Sequence, residues 1–207
     1  MSIIFLGDSH SIAFDTIYPN VITQWMGMHK KTTMHHFNHD EIYTIPSNAK
    51  VVIFSYGEID TRYSIHKQII KPTNNRTMEQ IIDDLCNIYI HKVIKYRDMY
   101  NIKVGVYNIP PTSCKNTESI FSTLENRKLV SEKMNLKLEE CCKQLNVPFL
   151  KTVDLLQDIN GYLNVHLADK NGDGVHLDRK HQSVLLPRLV EFTETSYCIA
   201  RLDTESL

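Results

Sequence analysis

Apolar residues along this chain fall into two recurrent patterns, short compact runs and longer stretches with helical spacing. Ile3 to Leu6, Val51 to Phe54, Lys103 to Asn108 and Phe149 to Val153 are compact runs that suit strands covered on both faces. The first three stop at turn-forming residues: Gly7-Asp8-Ser9, Ser55-Tyr56-Gly57 and Pro110-Pro111. Thr32 to Phe37 reads as a further strand, with Gly27 in the loop before it. Between the runs, Thr77-Met78-Glu79-Gln80 is a capping box that predicts a long helix with Ile81, Ile82, Leu85, Ile88, Tyr89, Val93 and Tyr96 on one face. Ser122-Thr123-Leu124-Glu125 offers a second capping box, for a helix carrying Val130, Met134, Leu138, Cys141 and Leu145. Ser11 to Tyr18 predicts a short helix closed by Pro19-Asn20. A last helix begins near Asp178, with Pro187 starting or kinking part of it.

Strands separated by long helices imply crossover connections and a parallel sheet with helices on both faces. The expected fold class is therefore α/β: one three-layer α/β/α sandwich over residues 1–207 with a central, mainly parallel five-stranded sheet. No internal repeat, low-complexity tract or linker interrupts it.

Composition narrows the picture. The 207 residues are 42% apolar and 23% charged with a net charge of -1, an ordinary globular balance without the basic field that nucleic acid or anionic membrane would require. No segment approaches the roughly eighteen apolar residues of a membrane span, and the start lacks the basic and apolar regions of a secretory signal. The expectation is a cytoplasmic protein with no nucleic-acid or membrane partner. Cys86, Cys114, Cys141, Cys142 and Cys198 form no Cys-x-x-Cys pair, so reduced thiols are expected in place of a disulfide framework or structural zinc.

Candidate chemistry begins at Ser9. A serine at the carboxyl end of a strand in an open α/β sheet stands at the mouth of the ligand crevice. The competing reading is that Asp8 or Ser9 merely caps the helix that follows. An activated serine needs a base within hydrogen-bond reach and a group that orients the base. Asp173-Gly174-Val175-His176 can supply both, in the chain order Ser9, Asp173, His176.

These residues resemble the SGNH (GDSL-type) hydrolases. Gly7-Asp8-Ser9 is similar to the family's first block, Gly57-Glu58-Ile59-Asp60 to its third and Asp173-Gly174-Val175-His176 to its fifth, in the family's order and across essentially the whole chain. The resemblance implies a flavodoxin-like fold and a serine esterase with Ser9, Asp173 and His176 as catalytic residues. It also implies an oxyanion hole that includes the backbone N–H groups of Ser9 and Gly57. Gly57-Glu58-Ile59-Asp60 with Arg62, Pro110-Pro111 and the Gly161 to His176 stretch further resembles a subset associated with polysaccharide biosynthesis and glycosyltransferases. That subset implies a glycan or small-molecule ester substrate, such as an acetylated carbohydrate, and glycosyltransferases of the same pathway as partners. No cofactor and no metal are implied.

The chain departs from the family at Ile59, where the third block carries an asparagine that donates to the oxyanion. Losing one such donor costs about 10²–10³ in rate. Arg62, Asn108 and His10 are the candidate substitutes, and Glu58 and Arg62, four apart, read either as substrate contacts or as a plain ion pair. Gly27 is the match for the second-block glycine. An O-acyltransferase using the same triad and a catalytically weak glycan-binding module are the alternative functions.

Two other patterns are set aside. Asp169 to Gly174 fits the opening of a calcium loop, but Lys180 stands where its bidentate glutamate belongs. His35, His36 and His39, with His29 and Asp40, make a metal site only on paper, because strand geometry would send His35 and His36 to opposite faces.

Overall fold

The computed structural model describes residues 2–14, 21–25, 33–39, 43–115, 121–169 and 174–197. Five strands, β1 (Ser2–Gly7), β2 (Val21–Trp25), β3 (Ala49–Ser55), β4 (Lys103–Tyr107) and β5 (Phe149–Leu150), form one sheet in the order β2-β1-β3-β4-β5, and every pairing is parallel. The continuous apolar runs are explained by what covers each face. Ile4, Leu6, Val52 and Phe54 belong to one core, whereas Ile3, Phe5, Val51 and Ile53 belong to a second. The alternation of side chains along a strand thus feeds two separate helix layers from one uncharged sequence.

The first layer contains α1 (Met34–His39), the short α2 (Ile65–Ile69), α3 (Met78–Tyr100) and α4 (Leu124–Gln144). Both halves of the capping box form on α3: Thr77 Oγ1 accepts from the Gln80 N–H (3.2 Å) and Gln80 Oε1 from the Thr77 N–H (2.9 Å). The predicted face is buried except for Ile88, which is 43% exposed. On α4 the cap is Thr123, not Ser122: Thr123 Oγ1 accepts from the Asn126 N–H at 3.2 Å. Ser122 is drawn off to Arg62 and Arg127, as described below.

The second layer rests on Phe14 and on the C-terminal elements. Ser9–Phe14 is a 3-10 helix, so the helix predicted from Ser11 begins at the nucleophile candidate itself; its predicted end, Tyr18 to Asn20, lies outside the described residues. After the two-residue β5 comes the short α5 (Val153–Leu156). Asp178 then caps a 3-10 turn (Arg179–Leu185) that leads into α6 (Leu186–Tyr197). Pro187 falls in the first turn of α6, where a missing N–H costs no hydrogen bond.

One predicted element is of the wrong type. Thr32 to Phe37 is not a strand: residues Met34–His39 are helical, and the sheet's second strand is Val21–Trp25. The helix is fixed at its start. Thr33 Oγ1 accepts from the His36 N–H (3.0 Å), and the buried Asp60 carboxylate, 26 residues on, accepts from the Met34 N–H (2.6 Å). Met34 and Phe37, one turn apart, fill the core. The strand-based objection to a histidine metal site fails with the strand, since the His35 and His39 rings lie 4.7 Å apart. His29 and Asp40 lie outside the described residues, and among those described no three metal-binding side chains gather.

Among the described residues no helix is long and apolar enough to cross a membrane. Cys86, Cys114, Cys141 and Cys142 are free thiols, and Cys198 lies outside the described residues.

Candidate active site

The chain leaves β1 on one side of the sheet for β2 and returns on the other side for β3, so the order reverses between β1 and β3. Ligands of such sheets bind at this reversal, beyond the strands' carboxyl ends. Ser9 follows β1 and Gly57 follows β3.

Asp8 shapes the turn that presents Ser9. Its N–H donates to the Ser55 carbonyl (2.8 Å), its Oδ1 accepts from the His10 N–H (3.0 Å), and its carbonyl accepts from the Ser11 N–H (3.1 Å) and hydroxyl (2.8 Å). Asp8 therefore does the capping, and the Ser9 hydroxyl is left for other work. Burial pushes the Asp8 carboxyl up to about 6. Gly7 is needed for close approach, not for turning. Its φ is not positive, but a β-carbon placed there would lie 1.9 Å from the Ser55 carbonyl oxygen.

His176 Nε2 stands 2.7 Å from Ser9 Oγ, across 167 residues of sequence. With Nε2 unprotonated, the serine hydroxyl donates to it, the arrangement an activated nucleophile requires. The loop that carries His176 is pinned on both sides. The His176 carbonyl accepts from the Asp169 N–H (2.8 Å), the Asp178 N–H donates to the Leu167 carbonyl (2.8 Å), and Ser113 Oγ donates to the Gly174 carbonyl (2.6 Å). Gly174 takes a φ of 68°, which explains a glycine there. Asp173, the predicted orienting acid, and Gly27 lie outside the described residues.

Ser9, His10 and His176 line a cleft of about 600 Å³. Ile12, Ala13 and Leu177 form an apolar wall, and Asp169, Asp178, Arg179 and Gln182 lie along the rest. Lys180, the residue that argued against calcium, is paired with Asp178 Oδ2 at 2.9 Å.

Beyond β3, Gly57 has a φ of 124°, and a β-carbon on it would meet Ile109 Cδ1 at 2.7 Å. Ile59 offers only hydrocarbon. Of its candidate substitutes, Asn108 is committed to the fold: Oδ1 accepts from the Thr152 N–H (2.5 Å) and hydroxyl (3.2 Å), while Nδ2 donates to the Ile109 carbonyl (2.8 Å). Arg62 is held by Glu58, with Nε to Oε1 and Nη2 to Oε2 both at 3.2 Å, so the plain ion pair forms. His10 is different. Its ring stacks on that of His176 with centroids 4.6 Å apart and planes 25° apart, and its Nε2 faces Glu58 Oε2 at 3.7 Å, an ion-pair distance.

Two buried ionisable side chains nearby, Asp60 of the third block and Arg127, have roles that the sequence patterns do not assign. Asp60 anchors α1, and burial pushes its carboxyl up to about 7. Arg127, 1% exposed, donates through Nε to Ser122 Oγ (3.1 Å), whose hydroxyl donates to the Arg62 carbonyl (3.3 Å). The available signal was an arginine one turn before Val130 on the apolar stripe of α4.

No family model and no curated protein sequence matches the chain. Solved structures do. A GDSL-like lipase from Bacteroides thetaiotaomicron superposes with a TM-score of 0.62 at 14% identity, covering 94% of this chain and 88% of that one. A G-D-S-L family lipolytic protein from Veillonella parvula gives 0.55 at 13% identity over 92% and 97%. A catalytic mutant of an acetylxylan esterase from Geobacillus stearothermophilus gives 0.56 at 11% identity over 92% and 93%. With its parallel sheet, its reversal between β1 and β3 and its serine at the end of the first strand, the chain has the fold of the GDSL-type hydrolases.

Proposed function

We propose that the protein is a serine esterase of the SGNH type that removes an acyl group, such as acetyl, from a carbohydrate through an acyl-enzyme on Ser9. The observation that carries this reading is the 2.7 Å approach of His176 Nε2 to Ser9 Oγ at the sheet's reversal point. Ser9 Oγ attacks the acyl carbon and its proton passes to His176 Nε2. The carbonyl electron pair moves onto oxygen, which the Ser9 and Gly57 N–H groups receive. His176 then gives its proton to the departing sugar oxygen as the bond from acyl carbon to that oxygen breaks. Water, deprotonated by His176, repeats the attack and releases the acid and free Ser9. Asp173, three residues before His176, orients the imidazole. The carbohydrate assignment draws on the acetylxylan esterase among the structural neighbours and on a cleft lined by both apolar and polar residues.

Purified protein is expected to hydrolyse p-nitrophenyl acetate and to be labelled at Ser9 by a fluorophosphonate, with Ser9→Ala losing both. A Ser9→Ala variant labelled like the wild type would sink the assignment. Acyl-donor consumption that requires a sugar acceptor would instead assign an acyltransferase using the same residues.

A further inference from the structure

Ile59 offers an oxyanion no donor, and His10, paired with the Glu58 carboxylate, lines the cleft beside Ser9 and His176. We propose that His10, kept as an imidazolium by Glu58, stabilises the oxyanion electrostatically in place of the neutral amide donor absent at Ile59, with Glu58 as its positioning residue. The inference rests on the serine esterase reading above.

Four observations converge on it. His10 lines the cleft beside Ser9 and His176, although its side chain is only 6% exposed. Its backbone is fixed by the Asp8 carboxylate and its ring by the stack on His176, so the charge is held in place before substrate arrives. Its Nε2 is enclosed and faces Glu58 Oε2 at ion-pair distance, an arrangement that favours a proton on that nitrogen. The other two candidates have prior engagements: Asn108 with Thr152 and Ile109, Arg62 with Glu58.

The charge balance around His10 comes from three directions. Asp8 faces it from the end of β1, Glu58 and Arg62 from the segment after β3, and His176 from the loop before α6. Asp169, Asp178 and Arg179 line the same cleft. Burial works against the imidazolium, but Glu58 and then Asp8 outweigh burial and the repulsion from Arg62, and the His10 pKa is raised. Burial likewise opposes charge on Glu58, yet His10 and Arg62 prevail and its pKa is lowered. Both partners are thus driven toward their charged forms.

The test is the pH dependence of kcat/KM for p-nitrophenyl acetate. Wild-type activity should fall on the alkaline side as His10 loses its proton. The pH of that fall should match the titration of His10 followed by NMR at its ring carbon in the unmodified protein. Glu58→Gln should move the alkaline limb to lower pH, and His10→Gln should abolish the limb and lower kcat about 10²-fold, the scale of one oxyanion donor. A purely structural role would scale the profile without moving it. An alkaline limb that stays in place in Glu58→Gln, or a His10 titration that does not coincide with it, overturns the proposal. Failure of the wild type to be labelled at Ser9 would instead overturn the esterase reading.

Discussion

Replacing Gly7 by alanine tests whether the top of the sheet is as tightly closed as the geometry says. An added β-carbon would lie 1.9 Å from the Ser55 carbonyl oxygen, 2.6 Å from its carbon and 2.8 Å from the Ser55 β-carbon. Two of these atoms are backbone, so no side chain can swing away. Opening to 3.0 Å, below which such contacts essentially never occur, requires β1 and β3 to part by about 1.1 Å. The Asp8 N–H bond to Ser55, 2.8 Å long, does not survive that movement. An orphaned buried backbone group costs about 1–3 kcal/mol, and overpacking adds about 1–3 kcal/mol. The expected loss is therefore about 2–6 kcal/mol, read as a melting temperature lowered by roughly 2–4 °C per kcal/mol in a domain of this size. Any variant that folds carries a displaced Ser9. A 1 Å misplacement of a reacting group costs about 10²-fold, so fluorophosphonate labelling should slow by that order. An unchanged melting temperature with wild-type labelling would refute the close-approach argument.

Two further outcomes concern stability alone. Thr77→Ala removes one half of the capping box on α3 and should cost about 1 kcal/mol in denaturant unfolding, with no effect on labelling. Asp8 and Asp60 have carboxyls raised from 3.8 to about 6 and about 7 by burial, so the folded state holds their protons to higher pH than the unfolded state does. Their contribution is fully present below about pH 4 and is lost as pH rises through 6 and 7, on the order of 3 kcal/mol for Asp8 and 4 kcal/mol for Asp60. Melting temperature should fall across that window, and Asp60→Asn should flatten the fall; equal slopes in wild type and variant would contradict it.

Much of this arrangement was legible in the sequence because its determinants are local. Uncharged runs ending at Gly7 and Ser55, and a capping box at Thr77, report strands and a helix without help from distant residues. The strand predicted at Thr32 to Phe37 failed because its helix is anchored by Asp60, whose carboxylate accepts from the Met34 N–H across 26 residues of sequence. Ser122 could not be separated from Thr123 as a cap for a similar reason: its hydroxyl donates to the carbonyl of Arg62, 60 residues away, while accepting from Arg127. At the site, the pairing of Ser9 with His176 followed from residue types and order. The stack of His10 on His176 has no sequence signature at all. It depends on a ring orientation that two loops set together.

Ser9 and His176 are held by supports of unequal strength. The serine follows an interior strand paired along its length with both β2 and β3, so moving it means breaking two ladders at once. The histidine lies outside the sheet, in a segment bonded among the described residues to Ser113, Leu167 and Asp169. Separating the pair at lowest cost therefore means lifting the histidine, and amide exchange should be fast around His176 and slow along β1. The serine is the fixed point of this site, and the histidine is the part that can leave and return.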